Sequence, residues 1–361
     1  MATATELTTR KPAKPQEPVI DPAAWTKDDL DRDQGWVHPL TEGQVKELDD
    51  TVRRLEKDGV ELMDITPDMY DMPTLSPRLA EIKADIIEGR GLAVIRGVPV
   101  VDYSRLQSAI AFWIVGQHIG EPVSQNAKGH LLGHVADLGG TTLKNPTHRG
   151  YQTHETLPYH CDSCDIVSLL CLHPSKSGGE SLLTSSLNLY NEMLKRAPEL
   201  AAELSKPIYR DRRNEIPEGK DPWFILPVFN FYEGYLSVSW QGGYIRSAQR
   251  FEVLPRHSEA LKQAIELFTQ LANELAYSMD FRHGDIQFLH NHVTVHSRTE
   301  FEDYPEPERR RNLLRFWLST PGGRPLPQAY FDRYGHLGPD DRPSGGVIVP
   351  GTKFSTPLYP E

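Results

Sequence analysis

Apolar positions recur at helical spacing early in the chain. In TEGQVKELDDTVRRLEKDG, Val45, Leu48, Val52 and Leu55 fall on one face, Thr41 and Gln44 form a capping-box pair ahead of them, and Gly59 supplies the stop. Ser76-Pro77 opens a second predicted helix with Leu79, Ile82 and Ile86 inward and Pro77 at its first position, where no amide hydrogen is needed. GLAVIRGVPV then switches to a short apolar run bounded by glycines, which predicts a buried strand. A third helix is expected from about Tyr103 to Gly116, apolar at Leu106, Ile110 and Trp113.

Further along the pattern changes to strands. FILPVFNFYEGYLSVSW alternates on both sides of Glu233-Gly234 and predicts a β-hairpin. Two amphipathic helices interrupt the strands: one after Ser186 with Leu187, Tyr190 and Leu194, the other from about His257 to Met279 with Leu261, Ile265, Phe268, Ala272 and Leu275. GDIQFLHNHVTVHSRT and RNLLRFWLS add two strands near the end. There is no internal repeat and no regular βαβ alternation, so the fold class is mostly β with flanking α, a double sheet or barrel with packed helices. The boundaries expected are a flexible Pro-, Lys- and Thr-rich tail over residues 1–21, a helical extension packed on the core over 22–90, a core with helical insertions over 91–320, and a Pro/Gly-rich segment over 321–361, an ordered loop or a flap.

Composition narrows the partners. The 361 residues are 38% hydrophobic, enough for a sizeable core, and the formal net charge is −11 with no basic block. Nucleic acid and anionic membrane both require a basic footprint and are not expected. No apolar run approaches a membrane span, and the N-terminal stretch lacks the apolar region of a secretory signal, so a soluble, cytoplasmic setting is the expectation. Self-association into a homo-oligomer stays open.

The three cysteines crowd into one stretch, LPYHCDSCDIVSLLCL. Cys161 and Cys164 have C-x-x-C spacing, yet no second cysteine pair exists for a structural zinc site and no βαβ context for a redox pair. Cys164 and Cys171 read as small apolar residues of a buried strand, and the cysteines as bystanders. The same stretch places His160 and Asp162 two apart, on one face of a strand, with Cys161 on the other. A histidine nitrogen beside a carboxylate supplies two of the three ligands of a 2-His-1-carboxylate facial triad. The third must come from a distant strand, and His290, His292 and His296 lie on one, evenly spaced. Arg311 and Arg315 then share a face of the last strand, with Leu313 between them, as suits a pocket that binds carboxylates bidentately.

These ordered motifs resemble the taurine dioxygenase-like branch of the Fe(II)/2-oxoglutarate-dependent oxygenases. The resemblance runs from VIRGVPV and HIGEP through His160–Asp162, HPSKSGGESLLTSS with Gly178, Gly179 and Ser181, GDIQFLHNHVTVH with Asn291 and His296, to RNLLR, roughly Gly91 to Ser319. It implies a double-stranded β-helix (jelly-roll) core, Fe(II) and 2-oxoglutarate as cofactors, and O2 with a small molecule as substrates. It selects His296 as the distal ligand beside His160 and Asp162. It gives Arg311 to the distal carboxylate of 2-oxoglutarate with Ser181 as helper, and Arg315 to the primary substrate. His290 and His292 stand where the family often has other residues, so at most they orient a neighbour. The implied reaction couples oxidative decarboxylation of 2-oxoglutarate to C–H oxidation, hydroxylation by default, with desaturation, cyclisation or oxidative cleavage open. Arg315 and Arg298, with Gln125 and Asn126 in PVSQNAKGHLLGHV, point to a small polar, carboxylate-bearing or amino-acid-derived substrate. A zinc hydrolase or lyase, which would leave Arg311 idle, and a non-enzymatic jelly-roll binding protein, which would be expected to have lost one of the three ligands, are the alternatives.

Overall fold

The apolar run Leu92–Arg96 lies inside a seven-stranded mixed sheet, in a computed structural model that describes residues 9–139, 150–343 and 345–360. Its order is Val37–Pro39, Leu92–Arg96, Ile286–His290, Ile166–His173 and Asn312–Ser319, and the last strand also pairs with Glu121–Pro122 and Gly133–Val135. A smaller sheet has the order Tyr277–Met279, Ser181–Ser185, Thr294–Arg298, Leu157–His160. Together they form the jelly-roll core expected from the sequence.

Strand alternation sorts the side chains into layers. Val94, Val167, Leu289 and Trp317 of the large sheet cluster with Leu183 and Met279 of the small one, filling the space between the sheets. Their neighbours Ala93, Ile95, Leu170, Phe288, Leu314 and Phe316 turn outward and pack under the helices Glu42–Lys57, Leu75–Glu88 and Arg105–Ile119. Phe112 stacks on Phe316 with ring centroids 4.2 Å apart. The outer face of the small sheet, Tyr159, Cys161, Val293 and Val295, is covered by the helices Ser186–Arg196 and Glu259–Glu274. Each fully buried side chain of this size contributes roughly 1.5–3 kcal/mol. Among the described residues no helix is long and apolar enough to cross a membrane.

Several expectations hold in detail. Thr41 and Gln44 cap Glu42–Lys57 reciprocally, and Phe229–Tyr232 pairs with Tyr235–Val238 around Glu233-Gly234. Others change. The second helix begins at Leu75, so Pro77 is its third residue; the position is still harmless because first-turn amides have no partner inside the helix, and Glu47 accepts from the Thr74 and Leu75 amides instead. The helix expected to reach Met279 stops at Glu274, and Tyr277–Met279 is an edge strand on Ser181–Leu183.

The expected single strand with three histidines is two strands. Ile286–His290 belongs to the large sheet and Thr294–Arg298 to the small one, with residues 291–293 turning the corner between them. The expected tail, of which residues 1–8 lie outside the described residues, is tied to the rest of the chain from Arg10 on, although most of its side chains stay exposed. Val19 is buried, and Asp21 accepts from Arg10 and from the buried Arg324, both at 2.8 Å. The Pro/Gly-rich C-terminal segment is likewise ordered against the core. It contains the helix Gln328–Tyr334, and the Gly346 and Val347 amides donate to the Ser163 and Ser124 carbonyls at 2.7 and 2.8 Å.

Candidate metal centre and adjoining clefts

His160 ends its strand facing the space between the sheets, and His296 is its directly opposed partner on the next strand. The two rings lie 4.3 Å apart between centroids. Asp162 follows two residues beyond the strand end, where its amide donates to Asn291 Oδ1 at 2.9 Å. Asn291 sits in the corner between the sheets, so the same turn that separates His290 from His296 fixes the loop carrying Asp162. The Asp162 carboxylate lies 3.9 Å from His160 Nε2 and 3.7 Å from His296 Nε2, and one ligand atom from each residue falls within 4.8 Å of the others.

The protonation states suit a divalent cation. Burial lowers the His296 imidazole to about 3, so its nitrogen lone pair is free. Burial alone would raise Asp162, but Arg315 and the two histidines outweigh it and hold the carboxyl below its ordinary value. His160 Nδ1 lies 2.9 Å from the Pro158 carbonyl; donation there leaves Nε2 to face the centre. Two imidazoles and a carboxylate form a donor set that fits Fe(II).

The cysteines take no part. All three are buried and unpaired, and burial pushes the Cys161 thiol up to about 12. Cys161→Ser and Cys164→Ser are expected to leave metal affinity within about threefold of wild type, measured by anaerobic calorimetry. Metal loss in either variant would restore the thiolate alternative.

On one side of the centre a small enclosed cleft of about 50 Å³ runs between the sheets, lined by Ser181, Gln287, Arg298, Arg311 and Leu313. Arg311 is buried, and burial lowers its guanidinium to about 10, which leaves it charged at neutral pH. Its Nη1 and the Nη1 of Arg298 are buried with no hydrogen-bond partner among the described residues. Buried guanidinium hydrogens left unpaired are costly, and a carboxylate is the group that satisfies them. Gly179 permits this seating: at φ +77°, a Cβ there would come within 3.3 Å of Arg311 Nε and 2.8 Å of Ser175 Oγ.

On the other side lies a larger cavity of about 260 Å³, which reaches His160, Asp162 and Arg315. Arg315 packs over Tyr151, 4.2 Å from the ring centroid, and its Nε donates to Gln125 Oε1 at 2.7 Å. Gln125 lines this cavity, but its amide nitrogen is engaged by the Leu131 and Arg315 carbonyls, so the whole side chain serves to hold Arg315. Asn126 lies elsewhere. It lines a neighbouring cavity, and its Oδ1 accepts from the Lys128 amide at 2.9 Å, tying its own turn. The long insertion supplies wall residues that the sequence pattern did not single out, Arg213, Gln241 and Arg246 among them. Their one local signal is the glycine pair of QGGYIR.

His290 and His292 point away from His296. His292 Nε2 lies 3.0 Å from Asp165 Oδ1, and Arg342 of the C-terminal segment reaches the same carboxylate at 2.7 Å. Burial would raise Asp165; the His292 hydrogen bond and Arg342 overcome it and lower the carboxyl to about 2. Because the folded value is depressed, this stabilisation is complete above the ordinary aspartate value, about 4, and is lost as pH falls towards 2. Asp165→Ala removes the buried acceptor shared by the His292 imidazole, the Thr320 amide and the half-buried Arg342 guanidinium, and is expected to cost about 3–5 kcal/mol. Urea unfolding checks it; a change under 1 kcal/mol would mean that the C-terminal segment is held by its backbone contacts alone.

Comparison with known proteins gives consistent relatives. The family described as "Taurine catabolism dioxygenase TauD, TfdA family" matches residues 56–317. FR-33289 synthase of Streptomyces rubellomurinus is 30% identical over 316 residues, covering 86% of this chain and 93% of the relative. A solved asparagine oxygenase, in complex with Fe(II), 2S,3S-3-hydroxyasparagine and succinate, superposes with a TM-score of 0.64 at 16% identity, over 87% of this chain and 99% of that one. The non-haem iron oxygenase OrfP, solved with Fe and alpha-ketoglutaric acid, gives 0.58 at 15% identity, over 78% and 93%.

Proposed function

We propose, from the premise that this chain belongs to the taurine catabolism dioxygenase TauD/TfdA family, that it oxidises a C–H bond of a small, polar, carboxylate-bearing molecule of amino-acid type. That it is an Fe(II)- and 2-oxoglutarate-dependent oxygenase follows from the membership. We assign the iron to His160, Asp162 and His296, the distal carboxylate of 2-oxoglutarate to Arg311 with Ser181, and the carboxylate of the primary substrate to Arg315. When bound, iron and 2-oxoglutarate would turn O2 into an oxidant able to attack an unactivated C–H bond, one oxygen atom entering succinate as 2-oxoglutarate loses CO2 and the other the product.

The observation that carries the reading is the pairing of a two-histidine, one-carboxylate centre with a buried guanidinium nitrogen left without a partner in the adjoining cleft. A zinc hydrolase or a bare binding protein has no use for that guanidinium. The protein's own work is positioning and exclusion. Asn291 holds the Asp162 loop, Pro158 orients His160, and Val167, Leu183 and Leu313 keep the inner cleft dry. Gln125 and Tyr151 fix Arg315 at the junction of the two clefts, where it attracts a carboxylate and leaves the rest of the substrate beside the metal centre. Hydroxylation is the reaction proposed. The asparagine oxygenase complex, which holds a hydroxylated amino acid, supports that choice. Succinate release from 2-oxoglutarate with Fe(II), ascorbate and O2, across a panel of amino acids and their N- and side-chain derivatives, tests it. Stimulation only by cationic or uncharged molecules would refute the substrate class, and absence of the +16 mass product would refute hydroxylation.

A further inference from the structure

We infer that the larger cavity reads a second anionic group, at the end of the substrate remote from Arg315, through Arg213 and Arg246. The inference rests on the substrate reading above. Three guanidiniums, those of Arg213, Arg246 and Arg315, line this cavity, against one carboxylate among its described lining residues, that of Asp162. On the proposed assignment Asp162 serves the metal centre, so the wall contributed by the insertion carries positive charge with no other carboxylate among the described lining residues.

The seating of Arg213 is built. Arg213 and Asn214 adopt φ +50° and +66°, left-handed backbone that costs of order 1 kcal/mol or more per residue away from glycine. Asp211 holds the turn, accepting from the Arg213 amide at 2.8 Å while paired with Arg250 at 2.9 Å. The Arg213 guanidinium then lies over the Tyr244 ring, 4.6 Å from its centroid, and its buried Nε has no hydrogen-bond partner among the described residues. Gly243 and Gly242 make the room. A Cβ at Gly243 would come within 2.8 Å of Arg213 Nη2, and one at Gly242 within 3.2 Å of Arg246 Nη1. Arg246 is exposed, at the rim of the same wall.

Strained backbone, paired glycines and an unsatisfied guanidinium in a cavity wall are what recognition of an oxyanion requires. The ligand class is therefore an amino-acid-like molecule whose far end is a carboxylate, sulfonate, phosphate or phosphonate.

The test uses full-length protein loaded with Fe(II) and saturating 2-oxoglutarate, held anaerobic, with binding read by calorimetry. O-phospho-L-serine and L-serine share one scaffold and differ in the second anion. Wild type is expected to bind the phosphorylated probe at least tenfold more tightly. Arg213→Gln and Arg246→Gln should each reduce that ratio several-fold, their combination should bring it near one, and Gly243→Ala should lower it by displacing Arg213. Affinity for 2-oxoglutarate and the melting temperature, followed in parallel, should not move. Equal binding of the two probes to wild type, or an unchanged ratio in the double variant, overturns the inference. Arg315→Gln separates the two readings: if it leaves L-serine binding unchanged, the carboxylate role of Arg315 fails, while the preference for the phosphorylated probe stands or falls with Arg213 and Arg246.

Discussion

Asp162→Ala is expected to abolish Fe(II)-dependent turnover and to weaken Fe(II) binding by more than about a hundredfold. Loss of a group that merely orients a metal ligand already costs about 10–100-fold in affinity, and Asp162 is the one anionic member of the candidate set. Its removal leaves two imidazoles and, nearby, the Arg315 guanidinium without the carboxylate it acts on. Asp162→Asn isolates the charge, since it keeps the shape and the amide contact to Asn291. Anaerobic titration of Fe(II) measures affinity without turnover. Wild-type iron affinity in Asp162→Ala would remove this carboxylate from the metal centre.

Arg311→Ala has the second large effect, on 2-oxoglutarate. A buried guanidinium–carboxylate pair that loses one partner typically loses about 3–5 kcal/mol, and each 1.4 kcal/mol is about tenfold. The affinity for 2-oxoglutarate is therefore expected to fall roughly a hundredfold to a few thousandfold. Arg311→Lys should recover only part of this, because an ammonium cannot reproduce the two-pronged contact. Arg315→Ala, at the junction with the outer cavity, should leave 2-oxoglutarate binding nearly unchanged and raise the requirement for primary substrate. Titration of 2-oxoglutarate into iron-loaded protein without O2 distinguishes the three. Equal affinities in wild type and Arg311→Ala would sink the cofactor assignment.

Local rules were legible where local forces decide. The capping pair Thr41–Gln44 and the two-residue turn at Glu233-Gly234 are short-range hydrogen bonding and backbone preference, and both appear as read. His160 and Asp162 do come together, but the strand ends at His160, and Asp162 is placed by its amide's bond to Asn291 rather than by strand alternation. The split at residues 291–293 was not legible: even spacing of His290, His292 and His296 fits one strand as well as two, and only pairing with strands far away in sequence selects the corner. Asn126 looked like a substrate contact because its polarity is visible, whereas its use as a turn cap depends on where Lys128 folds back. Arg213 and Arg246 gave no periodic signal at all; the cavity that unites them with Arg315 is made by segments distant in sequence.

The opposed positions of His160 and His296 have a consequence for how the protein folds and comes apart. Residues 163–295 lie between Asp162 and His296, including the strands Ile166–His173, Ser181–Ser185 and Ile286–His290 and the whole insertion. Closing so long a loop is among the slow, entropically costly events of folding, and the unfolded chain holds no preformed set of ligands. On the proposed assignment iron is captured only after the small sheet has zipped, so it cannot act as a nucleus. It acts afterwards as a staple across two strands: at a hundred times its dissociation constant a ligand confined to the native state adds about 2.7 kcal/mol. Chelation should then accelerate unfolding while leaving the refolding rate where it was.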